Sequence, residues 1–369
     1  MKKLEKGNIP EEIKKHRVYL YGAGYTAKVC LNTLKDSGIT IKALIDDDSS
    51  KIGTKVESFE VISYEEFRDM CKDEVSANVI LTSIYGKQIL NKLIDISNII
   101  IWEMYEWYTE LLNQQDVVID KYCEGERLRR YKENTDKLKK YLADEESKNV
   151  FDGVYQYYKT KDINKLVDIC TEEECYFTKE VREYFKDREI SLIDAGAYEG
   201  ELLRAIISSG LNVKDWYCFE LEKMNFDKLR GNLSKATLPK KLNCICENLG
   251  LWDEKDEFSI TGNGAGSKIA EGTNDERVCM VDTIDHYFQD IHVDLIKMDI
   301  EGAEMRAIRG GIQTIRRDHP LLAISIYHCA EDYYRIMQFL LDNVKGYNYY
   351  IRQHALIYGE TVLYAVPCC

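Results

Sequence analysis

The sequence predicts an α/β protein: two doubly wound sheets, the first smaller, joined by a helical connector. Three observations carry this. Apolar β-rich runs alternate with helix-periodic segments in residues 17–102 and again from residue 189 onward. In each stretch a buried strand runs into a glycine turn and then a helix, at Tyr21-Gly22-Ala23-Gly24 and at Asp194-Ala195-Gly196-Ala197-Tyr198-Glu199-Gly200. Two strand-like runs close the chain, Tyr347–His354 and Thr361–Val366, joined by a short loop with Gly359, as an antiparallel hairpin would be.

Length and charge set the bounds. The 369 residues are 45% apolar, enough at about 150 residues per domain for two or three domains that need no disulfide or metal to fold. Lys and Arg total 50 against 64 Asp and Glu, a net charge of −14. That field argues against nucleic acid as a partner and fits a small or neutral substrate. Met1–Lys15 has no apolar signal core and no run reaches a membrane span, so a cytoplasmic protein is expected. The 12 cysteines include no C-x-x-C pair, and several, such as Cys218, Cys244, Cys246 and Cys279, fall in strand-like runs. They read as free thiols of a reducing compartment, and Cys368-Cys369 as an incidental tail.

In chain order, residues 1–102 form the first α/β domain, with strands at Val18–Tyr21, Ile41–Ile45 and Asn78–Thr82 and helices at Ala27–Ser37, Glu65–Cys71 and Lys87–Asp95. Residues 103–188 have no proline, and apolar positions recur at helical spacing (Leu138, Tyr141, Leu142; Val150, Val154, Tyr157). They read as a helical connector without a site of its own. Residues 189–369 supply strands at Ile190–Asp194, Trp216–Glu220, Leu242–Cys246, Val293–Asp299 and Leu321–Tyr327, five parallel strands before the hairpin. Oligomeric state cannot be read from these patterns.

Chemistry concentrates in the last region. The D-x-G-x-x-x-G turn lets backbone approach a ligand without a Cβ, and it lacks the spacing for a pyrophosphate. Glu220 ends the next strand about 20 residues on, where an acid accepts hydrogen bonds from ribose hydroxyls. An acidic turn favours a cationic nucleoside over a phosphorylated one. Val293–Glu304 reads as a strand ending in acids and a glycine, then a helix from about Ala303; along the strand direction Lys297, Asp299 and Glu301 point the same way. In a buried strand Lys297 and Asp299 must be paired with each other or face a cavity. His328, after Leu321–Tyr327, is a candidate general base, with a capping or surface histidine as the competing reading.

With these residues in view, the region resembles the FkbM family of S-adenosylmethionine-dependent O-methyltransferases. Ile193–Gly200, Val281-Asp282-Thr283-Ile284-Asp285, Asp294–Glu304, Ile324–His328 and Glu360–Ala365 carry the resemblance. Many relatives have Glu where this chain has Ser325. The resemblance implies a Rossmann-like methyltransferase sheet of seven strands. Its cofactor would be S-adenosylmethionine, held by Asp194, Gly196, Ala197, Tyr198, Gly200, Glu220, Leu221, Asn248 and Asp299. The acceptor would be a hydroxyl on a sugar, a polysaccharide or a small metabolite. Asp299, His328, Lys297 and Glu301 are the candidate catalytic residues, and Asp299 is the one that would hold a divalent metal, if one is used.

In the first domain Gly22, Gly24 and Tyr25 fall in G-x-G-x-x-A, and Asp46 ends the following strand. This Rossmann-like pattern could receive a nucleotide on the helix N-terminus. A docking module for a nucleotide-linked sugar, an NAD-dependent second activity and a non-catalytic scaffold are the readings it leaves open.

Overall fold

The computed structural model describes residues 1–4, 9–34, 37–72, 76–83, 86–104, 124–261, 268–270, 278–356 and 359–368. The chain divides into two compact units, residues 1–115 with 355–357 and residues 116–354 with 358–369.

The first unit runs β1 (Lys2–Lys3), α1 (Glu11–Lys14), β2 (Arg17–Tyr21), α2 (Tyr25–Leu34), β3 (Ile41–Ile45), β4 (Lys55–Val56), β5 (Phe59–Ile62), α3 (Tyr64–Lys72), β6 (Ala77–Leu81), α4 (Gly86–Leu93) and β7 (Ile99–Glu103). Sheet order is β1-β7-β6-β2-β3-β5-β4. The pairs are parallel except β4 with β5. Val18, Leu20, Leu44 and Ile80 are fully buried, and α2 adds Ala27, Cys30, Leu31 and Leu34, the three-and-four spacing of one helix face. The β4–β5 hairpin carries none of the Asn-Gly or Asp-Gly signals of a tight turn. Glu57 takes the left-handed conformation instead, with φ 54°.

The second unit opens with helices: α5 (Gly125–Leu138), α6 (Glu145–Thr160), α7 (Asn164–Ile169) and α8 (Lys179–Tyr184). Then come β8 (Glu189–Ala195), α9 (Leu202–Ser209), β9 (Asn212–Phe219), α10 (Lys223–Lys235) and β10 (Asn243–Glu247). A second, four-stranded sheet follows, β11 (Gly250–Leu251), β12 (Asp256–Thr261), β13 (Lys268–Ala270) and β14 (Val278–Asp282), in the order β11-β14-β12-β13. The chain ends through α11 (Ile284–Tyr287), β15 (Leu295–Met298), α12 (Glu304–Gly310), α13 (Ile312–Asp318), β16 (Leu321–Ser325), α14 (Asp332–Asn343), β17 (Tyr347–Gln353) and β18 (Thr361–Pro367).

The main sheet is ordered β10-β9-β8-β15-β16-β18-β17. Strands β10, β9, β8, β15 and β16 are parallel, as the sequence predicts. The hairpin forms too, but its second strand slides between: β18 is antiparallel to both β16 and β17. Order reverses between β8 and β15, which opens a crevice above their carboxyl ends.

The helical stretch is built into this unit. Tyr131, Leu138, Val150, Phe151 and Tyr158 are buried. Arg352 of β17, itself fully buried, pairs with Asp144 at 2.7 Å, the residue whose side chain caps α6, and with Glu180 of α8 at 2.6 Å. Burial of a cation is tolerated here because carboxylates meet it on both sides.

Candidate active site

The glycine turn after β8 is shaped by close approach. Gly196 has φ +78°, and a Cβ there would lie 1.9 Å from the carbonyl oxygen of Asp299. The turn and the end of β15 therefore touch backbone to backbone, which no other residue type permits. The N–H groups of Gly196 and Ala197 donate to Phe219 O at 3.0 Å each, which ties the turn to β9. Gly200 is also left-handed, with φ +88°, and faces Leu229. Tyr198 takes φ 48° without being glycine.

Glu220 stands at the end of β9. Its carboxylate accepts the Tyr198 N–H at 2.9 Å and the Glu222 N–H at 2.9 Å. Burial pushes its pKa up, against the pull of these two donors. Each oxygen keeps a lone pair for a further donor. Asn248 spends its amide N–H groups on Glu220 O at 2.8 Å and Leu221 O at 3.0 Å, so it shapes the end of β9 from beside β10.

Asp194 and Lys297 sit one layer below. Asp194 is fully buried, pairs with Lys297 Nζ at 2.9 Å and accepts Trp216 Nε1–H at 3.1 Å. Lys297 also donates to Gly196 O at 2.8 Å and Ala195 O at 3.3 Å. Of the two pairings open to Lys297, the short contact is thus with Asp194 on the adjacent strand. Its two hydrogen bonds go to carbonyls where β8 enters the turn and its ion pair to Asp194, which makes it a strut beneath the crevice.

Asp299 caps β15 and faces the crevice. Its Oδ2 accepts the Tyr176 hydroxyl at 3.0 Å and its Oδ1 the Tyr327 hydroxyl at 3.2 Å. Burial would raise its pKa; His328 first, then Lys297 and the two phenols, holds it below the ordinary carboxylate range. His328 is 3% exposed and lies among carboxylates: Glu304 Oε1 is 3.0 Å from Nδ1, and Asp299 Oδ1 and Glu301 Oε2 are 3.4 and 3.6 Å from Nε2. Burial alone would depress its pKa, yet Glu304, then Glu301 and Asp299, raise it to about 10. That direction favours the imidazolium form of His328, the form that does not accept a proton. Glu360, which precedes β18, is pushed up to about 8 by burial and then by Asp299.

A stability signature follows. A histidine whose folded pKa lies above its ordinary value contributes fully below about pH 6.5, and the contribution is lost as pH rises toward about 10. In the presence of chelator, the wild-type chain should lose stability across that window, on the order of a few kcal/mol. The His328→Gln variant should lack that loss. Thermal melts at pH 6, 8 and 10 check this, and parallel slopes in the two proteins would exclude the imidazolium.

Sequence reasoning placed Asp299, Glu301 and His328 in one cleft, and the structure brings them together. It missed Tyr176, Tyr327, Glu304 and Glu360. Tyr327 and Glu304 lie within the quoted motifs, where charge and strand end could have flagged them. Tyr176 carries no signal in a chain with 26 tyrosines.

In the first unit Gly22 has φ +109° and packs on Thr82 and Ser83, whereas a Cβ on Gly24 would meet nothing within 4 Å. Asp46 accepts Ala23 N–H at 2.7 Å, Lys51 Nζ–H at 3.0 Å and Asp48 N–H at 2.9 Å. Its carboxylate holds the turn together. Tyr25, at the start of α2, is 56% exposed.

An open parallel sheet whose order reverses beside a glycine turn, with an acid ending each neighbouring strand, defines the doubly wound α/β class. Residues 194–349 match the methyltransferase FkbM domain, and residues 14–101 match the C2185-like N-terminal domain. The crystal structure of methyltransferase FkbM from Methylobacillus flagellatus KT superposes with a TM-score of 0.56 at 20% identity, covering 97% of this chain and 94% of that one. UDP-D-quinovosamine 4-dehydrogenase from Vibrio fischeri aligns at 20% identity over 27% of this chain and 84% of its own, with a TM-score of 0.23. RSP, a Rex-family repressor, aligns at 15% identity over 27% and 59%, with a TM-score of 0.21. No curated protein matches the chain significantly. Residues 194–349 are thus similar to the methyltransferase FkbM domain, and the chain shares the fold of the solved FkbM methyltransferase. Among the described residues no helix is long and apolar enough to cross a membrane.

Proposed function

We propose that the second unit transfers the methyl group of S-adenosylmethionine to a hydroxyl of a sugar, a glycan or a small metabolite, in the cytoplasm. The observation that carries this reading is the backbone contact between Gly196 and Asp299. It brings the 196–200 bend against Asp299, which supports reading the two as one site. Glu220 would take the ribose hydroxyls, the 196–200 bend the methionine part, and Leu221 and Asn248 would border the adenine. Asp194 and Lys297 would act through the bend they brace.

The step is a displacement at the methyl carbon: the acceptor oxygen forms a bond to carbon as the carbon–sulfur bond breaks, and its electron pair leaves on a neutral thioether. Alignment does most of the work. The acceptor oxygen becomes strongly acidic as the bond forms, so even a carboxylate of lowered pKa serves as proton acceptor. Asp299 fits that role and keeps a lone pair on each oxygen. Glu301 and the charged His328 would hold it in place.

A second reading adds a divalent metal. Asp299, Glu304 and His328 each offer a ligand atom within 4.8 Å of the others. Among the described residues neither His328 ring nitrogen has a hydrogen-bond partner, nor does Glu304 Oε2. The donor set fits a hard or borderline cation, which would acidify the acceptor hydroxyl. For the first unit, a docking role for a nucleotide-linked sugar is preferred over hydride transfer, because Asp46 is committed to the turn.

Tritium transfer from methyl-labelled S-adenosylmethionine to a panel of sugar and small-alcohol acceptors tests the reading, with EDTA and magnesium add-back as parallel arms. Label in an alkali-stable ether is expected. Label only in carboxyl esters or amines would overturn the hydroxyl assignment, and full activity in EDTA would remove the metal.

A further inference from the structure

We propose that Tyr176, from the segment between α7 and α8 and outside the matched FkbM domain, is a positioning residue that holds Asp299 toward the sulfonium. This rests on the reading of the crevice as an S-adenosylmethionine site. The segment is fastened along the hairpin: Cys170 bridges Gln353, and Thr171 N–H donates to Gln353 O at 2.8 Å. Tyr176 then takes the left-handed conformation, φ 68°, which costs a non-glycine residue about 1 kcal/mol or more.

A chain of bonds holds that conformation. The Tyr176 N–H donates to the Tyr364 hydroxyl at 3.0 Å. That oxygen lies 2.8 Å from His354 Nε2, and His354 Nδ1 lies 3.2 Å from Glu173 O. Carbonyl Glu173 O can only accept, so Nδ1 carries the proton and Nε2 accepts from Tyr364. Burial holds His354 neutral, its pKa lowered to about 4, so this tautomer persists at neutral pH.

Backbone strain here delivers a phenol. The Tyr176 hydroxyl reaches Asp299 Oδ2 at 3.0 Å and lies 3.3 Å from Ser325 Oγ. Burial and then Asp299 keep the phenol protonated, so it remains a donor. Its ring lies 5.3 Å from Lys297 Nζ, the strut of the glycine bend. One side chain thus joins the acid at the end of β15 to the brace beneath the cofactor turn. Ser325, fully buried, gives the phenol a second neighbour.

The test is calorimetric titration of the full chain with S-adenosylmethionine and, separately, S-adenosylhomocysteine. The two differ by the methyl group and its positive charge, so the ratio of their affinities reads the charge placed at the sulfur. Tyr176→Phe should weaken S-adenosylmethionine relative to S-adenosylhomocysteine by about five- to tenfold. Tyr364→Phe, which frees the Tyr176 N–H, should move the ratio the same way by less. Tyr131→Phe loses a buried hydroxyl bond of 3.1 Å far along the chain; it should lower the melting temperature and leave the ratio alone. An unchanged ratio in Tyr176→Phe, with wild type binding both ligands, overturns the inference alone. Should Tyr176→Phe not fold, an unchanged ratio in Tyr364→Phe overturns it equally. Wild type that binds neither ligand removes the site reading, and this inference with it.

Discussion

Gly196→Ala is expected to lower affinity for S-adenosylhomocysteine by about a hundredfold or more, about 2.7 kcal/mol, and to lower the melting temperature clearly. Two costs add. Residue 196 sits at φ +78°, which a Cβ makes unfavourable, and that Cβ would meet Asp299 O at 1.9 Å and Ile300 Cγ2 at 3.2 Å. Backbone oxygen cannot swing aside as a side chain can, so the bend must lift off β15 and the crevice must change shape. Gly231 is the control. It lies within α10, and a Cβ there meets nothing within 4 Å. Gly231→Ala should stabilise by about 0.5–1 kcal/mol without touching ligand affinity. Equal effects of the two variants would show that the bend is not sterically defined.

The Asp194–Lys297 pair gives the other large effect. Both side chains are nearly excluded from solvent, so Asp194→Ala leaves an ammonium buried without its carboxylate, at a cost of about 3–5 kcal/mol. Replacing both, as Asp194→Leu with Lys297→Met, removes the stranded charge and should restore much of that stability. It also deletes the bonds from Lys297 to Ala195 O and Gly196 O. Ligand affinity should therefore stay low when stability returns. Chemical denaturation together with calorimetry separates the two quantities, and recovery of affinity in the double variant would contradict the strut role.

How much of this was legible in the sequence depends on whether a local signal existed. The strand–turn–helix at 194–200 and the acids at Glu220 and Asp299 announce themselves, because chain reversal at glycine and carboxylates ending apolar runs are local patterns. The hairpin was legible as a hairpin. Its insertion, with β18 between β16 and β17, was not, since strand order is a matter of tertiary packing. Lys297 was expected to pair with Asp299 or face a cavity. Sequence gives facing within a strand but not the neighbour across it, and the neighbour is Asp194 in register on β8. His328 was read as a candidate base from its position alone. What that position could not report is Glu304, fully buried four residues beyond Ile300, whose N–H donates to its Oε1 at 2.9 Å. A pKa depends on such surroundings, which no spacing rule reports. Tyr176 was hidden in a helical region, because its left-handed backbone is imposed by the hairpin it lies against.

The most direct measurement is calorimetric titration of the wild-type chain with S-adenosylhomocysteine, repeated with Gly196→Ala. Saturable one-to-one heat in the first, and affinity lower by about a hundredfold or more in the second, is what a cofactor crevice built on the Gly196–Asp299 contact requires. Absence of heat in the wild type, or equal binding by both proteins, would contradict it.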